Sequence, residues 1–108
     1  MQKLLETERG EREFAKEELA FEATELIAEL MEKKHVSKTE LAQRIGKSKA
    51  YVTQVLSGSR NITMHTLAGL TFALGYKAKL AAAPRAEAPG ENQHRTIEAP
   101  AAGRRLRG

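Results

Sequence analysis

The sequence predicts an all-α fold: four helices, then a short C-terminal extended segment and a disordered tail. Three observations predict it. Apolar residues recur at three- and four-residue intervals from about Phe14 to Leu74. Each run after the first opens on Ser or Thr and closes on or beside a Gly, the residues that begin and end helices. From Pro84 onward the chain is mostly Ala, Pro, Gly, Glu and Arg, with too little apolar surface to offset the entropy of ordering. A length of 108 residues sets the expectation of one small domain. Its parts are a charged N-terminal arm over 1–13, a helical domain over 14–82 and the disordered tail over 83–108.

Residues 1–12 are charged and interrupted by Gly10, which leaves a frayed helix and a disordered arm both open. From Phe14 to His35, Leu19, Ala23, Leu26, Ile27, Leu30 and Met31 build one apolar stripe. Glu dominates the start of this helix and "MEKKH" its end, matching the helix dipole. The second helix, "TELAQRI", opens on Ser37 and Glu40, an S-x-x-E capping box, with Val36 placed to staple onto Leu41. Gly46 ends it as the residue that takes the left-handed conformation. Ser48 caps a third helix, "KAYVTQVL", which stops at Ser57 and Gly58. The loop "SGSRN" leads to a fourth, capped by Thr63 or, with a shifted boundary, by Asn61. Met64, Leu67, Leu70 and Leu74 form its buried face and Gly75 ends it. "YKAKLAA" then alternates with period two, Tyr76, Ala78 and Leu80 against Lys77 and Lys79. This reads as a short strand or extended arm, whose easiest partner is the same segment of a second copy.

Composition excludes several classes of function. There is no Cys, hence no disulfide and no thiolate metal site. There is no Asp, no Ser–His constellation and no phosphate-cradling glycine loop, so the chain is not expected to be an enzyme. His35, His65 and His94 have no metal-ligand spacing, and no cofactor is expected. No apolar run approaches the roughly 20 residues that span a bilayer. The start, "MQKLLETERGERE", is too polar for a secretory signal. The expectation is a cytoplasmic, nucleoid-associated protein with no membrane partner.

The net charge of +4 hides an asymmetry. Residues 1–32 carry ten Glu against four Lys or Arg, a net −6; residues 33–82 carry nine Lys or Arg against one Glu, a net +8; residues 83–108 add +2. The middle segment is the part that attracts a polyanion.

Two short helices joined by a turn centred on glycine describe a helix-turn-helix. Ala42 is small where the second helix crosses the third, and Val52 and Val55 are spaced to face back onto Leu41 and Ile45. Lys49, Ala50, Thr53 and Gln54 point the other way, with the ring edge of Tyr51. Lys donates to guanine O6 and N7, Gln bonds adenine N6 and N7, and an Ala methyl meets the thymine methyl. Lys38 and the first amides of the second helix can approach a phosphate, and Lys47, Ser48, Ser57, Arg60 and Asn61 frame the same face.

The stretches "ELAQRIG", "GKS", "YVTQVLSG" and, at 73–75, "ALG" resemble the Xre, or phage-repressor, family of helix-turn-helix regulators. The resemblance covers roughly residues 17–75. It implies a homodimeric transcription regulator, such as a repressor, that reads palindromic double-stranded DNA. It also implies base-reading positions at Lys49, Ala50 and Gln54 and phosphate contacts at Lys38 and Ser57. Tyr51 would read a base or pack against a phosphate sugar. The chain departs from the best-known repressors in two ways. "YKAKLAA" stands where they continue with a fifth helix, and the first helix is longer and more acidic at its start. Both features are similar to antitoxin-type regulators. That gives the alternative of an antitoxin that binds a partner toxin protein and autoregulates its operon, with the acidic stretch 6–32 facing a basic partner. "GRRLRG" at 103–108 is a basic tail that serves solubility or nonspecific phosphate contact.

Overall fold

The helix boundaries follow from their caps. In the computed structural model, which describes residues 2–58, 60–85 and 96–100 with side chains from residue 7 onward, there are four helices: α1 (Gln2–Lys34), α2 (Lys38–Ile45), α3 (Lys49–Ser57) and α4 (Met64–Ala73). Each of the last three begins on a hydroxyl that accepts an otherwise unpaired backbone N–H. Ser37 Oγ takes the N–H of Glu40, Ser48 Oγ that of Tyr51, and Thr63 Oγ1 that of Thr66, each at 3.1 Å. Thr63, rather than Asn61, is therefore the cap of α4. The S-x-x-E box is realised by half. The Glu40 carboxylate pairs with Arg44 at 2.9 Å, and a second Arg44 nitrogen donates to the Ala73 carbonyl at 2.8 Å, tying α2 to the end of α4.

Three helix ends close the same way. After α2, the N–H of Gly46 donates to Gln43 and that of Lys47 to Ala42, with Gly46 at φ +70°. After α4, Gly75 donates to Phe72 and Tyr76 to Thr71. After α1, His35 donates to Glu32 and Val36 to Met31. This paired 5→2 and 6→1 arrangement is the Schellman motif, and it needs a left-handed residue at its pivot. At the end of α1 that residue is His35, at φ +57°, the one positive-φ residue other than glycine among the described residues. A Cβ in this conformation costs about 1–2 kcal/mol, part of which a glycine returns as unfolded-chain entropy. His35→Gly is therefore expected to raise the melting temperature by a few degrees, a gain of roughly 0.5–1 kcal/mol. A thermal melt that falls instead would show that the imidazole makes a compensating contact.

The core consists of Ile27, Leu30 and Met31 from α1, Val36 from the linker, Leu41 and Ala42 from α2, Val52 and Val55 from α3, and Leu70 and Leu74 from α4. Val36 and Leu41, the expected staple, are both in it. Two assignments change. Met64 is exposed, and Thr71 is buried on α4 instead. The Thr71 hydroxyl bonds the carbonyls of Leu67 and Ala68 one turn back, at 3.1 and 3.0 Å, which removes most of the cost of burying it. On α1 the apolar stripe is covered only at its end: Leu19 and Leu26 are exposed, and so is every residue from Thr7 to Glu22. The helix is about 50 Å long, and three short helices cannot cover more than its last turns. It also runs without a break through Gly10, which the sequence left open.

The chain divides into two units, residues 1–77 and 78–108. In the second, β1 (Ala81–Ala82) pairs antiparallel with β2 (Ile97–Glu98), Ala81 opposite Glu98 and Ala82 opposite Ile97. The N–H of Ala99 donates to the Leu80 carbonyl at 3.0 Å. The extended segment thus pairs within the same chain, with a stretch expected to lack order. "GRRLRG" and His94 lie outside the described residues.

Candidate nucleic-acid interface

The geometry of the α2–α3 pair is set locally. Gly46 closes α2, Lys47 occupies the turn and Ser48 opens α3, so the chain reverses within three residues. Val52 and Val55, each 1% exposed, hold α3 onto the core beside Leu41 and Ala42. With that line buried, helical periodicity turns Lys49, Ala50, Thr53, Gln54 and Ser57 outward, and all five are exposed.

Tyr51 lies between the two lines. It is half-buried against the core, and two cations approach its ring: the Lys47 ammonium at 5.4 Å and the Arg60 guanidinium at 4.7 Å from the centroid. Arg60 also reaches back over the end of α3. Its Nε and Nη2 donate to Gln54 Oε1 at 3.2 and 2.8 Å. The Ser57 hydroxyl donates to the Gln54 carbonyl at 3.0 Å. Lys38 is exposed at the first position of α2, and Asn61 is exposed beyond α3.

All the residues singled out in the sequence are therefore at the surface or its edge: Lys49, Ala50, Tyr51 and Gln54 on α3, and Lys38, Lys47, Ser48, Ser57, Arg60 and Asn61 around it. Ser48 doubles as the α3 cap. The electrostatics are one-sided, because Glu40 is the sole acidic residue of segment 33–82 and is paired with Arg44. The Arg60–Gln54–Tyr51 cluster escaped the sequence reading. Its members are six and nine residues apart across a helix end, a spacing that no helical or strand period marks. Beside the cluster, a shallow hollow of about 170 Å³ is lined by Ile45, Lys47, Tyr51, Thr66, Gly69 and Leu70.

Among the described residues no helix is long and apolar enough to cross a membrane. Comparison with curated proteins and with solved structures gives no match for the chain. A family model, helix-turn-helix, matches residues 27–79, which run from Ile27 at the covered end of α1 through α2, α3 and α4. Through that segment the chain belongs to the Xre-type, phage-repressor-like helix-turn-helix family of DNA-binding regulators.

Proposed function

We propose that the chain is a dimeric transcription regulator that lays α3 into the major groove of a palindromic operator. The observation that carries this reading is the division of α3: an apolar line held in the core and an outward line of Lys49, Ala50, Thr53 and Gln54 within an almost acid-free surface. Lys49, Ala50 and Gln54 meet base edges, and Tyr51 adds a base or sugar contact. Lys38, Lys47, Ser48, Ser57, Arg60 and Asn61 meet phosphates. One such domain spans a few base pairs, so two copies on a two-fold site supply the affinity. Residues 14–82 are the binding domain, with 1–13 an arm and 83–108 a tail, in a cytoplasmic, nucleoid-associated protein.

Selection from a random duplex pool tests this directly. The expected result is a short sequence repeated with two-fold symmetry. Recovery of no preferred duplex, even at low ionic strength, would end the proposal. A companion measurement uses Lys38→Ala. Loss of one phosphate contact is expected to weaken all duplexes alike and to lower the slope of log K against log salt by about 1. A loss confined to one sequence would move Lys38 from backbone to base.

A second reading is favoured by α1. Its exposed stretch is acidic, and it displays Phe14, Leu19 and Phe21 at 67%, 68% and 62% exposure. An antitoxin would offer such a surface to a basic toxin partner while its helix-turn-helix represses the shared operon. Co-expression with the product of the adjoining reading frame decides this. Co-elution that Phe14→Ala and Phe21→Ala together abolish is expected of an antitoxin, and separate elution excludes that frame's product as the toxin.

A further inference from the structure

Between Arg60 and Lys77 the chain carries no Asp, Glu, Lys or Arg, in a protein with 30% charged residues. That interval holds α4. Its buried line is Leu67, Leu70, Thr71 and Leu74. On its outward side Met64, Ala68 and Phe72 recur every four residues beside the exposed His65, and Met64 and Phe72 are 66% and 81% exposed. A helix with large apolar side chains on two opposite sides is normally covered on both. Among the described residues α4 is covered on one.

Gly69 supplies an independent observation. It sits in the middle of α4, where glycine weakens a helix. Its φ is not positive, and a Cβ built there meets nothing within 4 Å. Among the described residues neither the backbone nor any contact accounts for the missing side chain, and the space beside it is open to a close approach from outside. Gly69 also borders the hollow of about 170 Å³. The hollow is open to solvent, is lined by Lys47 and Thr66 as well as by apolar groups, and has room for a ring; the exposed ring of Phe72 stands one turn further along the same helix. A ring and a ring-sized hollow on one helix make a surface that complements itself, which a two-fold pairing requires.

We infer that the outward face of α4 is the contact between two copies of this chain, with Phe72 of each copy seated against Gly69 and the hollow of the other. Charge favours a second copy here. Two copies that meet through segment 33–82 bring +8 against +8, and the α4 strip, with no Asp, Glu, Lys or Arg, is where they repel least. Area sets the strength. At about 150–250 Å² for a large aromatic residue, Phe72, Met64 and their small neighbours offer roughly 400 Å² per copy. A stable free dimer needs about 800 Å² per partner. The pairing is therefore weak in solution and is completed when two half-sites hold the copies side by side. This inference deepens the dimeric reading above and rests on it for the DNA-bound state.

The chain has no Cys, so single thiols report proximity cleanly. Under mild oxidation Ala68→Cys is expected to yield disulfide-linked dimer at least tenfold faster than Thr53→Cys, which is also exposed but on α3. Adding Phe72→Glu to Ala68→Cys is expected to abolish the difference. Phe72 is exposed, so circular dichroism should report an unchanged fold. Equal rates for Ala68→Cys and Thr53→Cys, or cross-linking indifferent to Phe72→Glu, would overturn the inference. On DNA, Phe72→Glu is expected to bind a single half-site like the wild type and to lose about 30-fold on the paired site. An unchanged paired-site affinity also overturns it. If the wild type selects no duplex, the DNA reading fails, and the cross-linking rates still decide the α4 contact.

Discussion

Leu41→Ala is expected to destabilise the domain by about 3–5 kcal/mol. Leu41 has 0% exposure and lies on α2 in the cluster with Val36, Val52 and Leu70. Truncation removes its transfer free energy and also leaves a cavity. Four helices anchored by ten buried apolar residues have little room to collapse into it. Domains of this size have total stabilities of about 5–15 kcal/mol, usually toward the low end. The variant is thus expected to melt at least 12 °C lower, taking about 4–8 °C per kcal/mol, and to lose DNA binding because the folded fraction falls. The contrast is Leu19→Ala. Leu19 is an equally apolar residue of the predicted α1 stripe, but it is 68% exposed, and its truncation is expected to stay within about 0.5 kcal/mol of the wild type. Chemical denaturation of both variants checks the pair. Similar losses at the two sites would mean that the upstream part of α1 is covered after all.

Gln54→Ala is expected to leave stability nearly unchanged and to alter what is read. Gln54 is exposed on the outward line of α3, and its carbonyl oxygen is held by two Arg60 nitrogens at 3.2 and 2.8 Å. A side chain fixed in this way loses less freedom on meeting a base edge and discriminates more sharply. Its removal is expected to relax preference at one base position by about 1–3 kcal/mol, or 5- to 150-fold in relative affinity. Preferences at the other positions remain. Repeating the duplex selection with the variant provides the measurement. An unchanged preferred site would show that α3 docks in some other way. The cost of Arg60→Ala indicates how much of the effect comes from fixing the amide: loss of discrimination at the same position points to orientation, and a uniform drop points to a phosphate contact.

The caps and stops were legible in the sequence because they are local. Ser37, Ser48 and Thr63 each act on an amide three residues away, and Gly46 and Gly75 close the helix that directly precedes them. The buried and outward lines of α3 were legible for a similar reason, since the helical period separates Val52 and Val55 from Lys49, Thr53 and Gln54. What the period cannot say is whether a face has anything to cover it. Leu19 shares a stripe with Leu30, yet the body of the domain ends before it reaches it, and Leu26 lies at the margin of the covered face beside the fully buried Ile27. Nor does it say that a polar residue can be buried at low cost, as Thr71 is through its own helix carbonyls. The Ala81–Ala82 pairing with Ile97–Glu98 rests on backbone hydrogen bonds between residues of weak strand preference or in a polar, tail-like context, and composition does not report such bonds. The Arg60 contacts to Gln54 and Tyr51 depend on how the loop after α3 folds back, which is a tertiary fact.

The two sides of α3 answer to separate demands. Val52 and Val55 keep the domain intact, while Lys49, Ala50, Thr53 and Gln54 stand clear of the core and contribute little to it. Mutation can therefore rewrite the second set without endangering the first. On the proposed reading of α3, the same scaffold can drift from one address on a chromosome to another, or be retargeted by design, with four exposed positions serving as an exchangeable key.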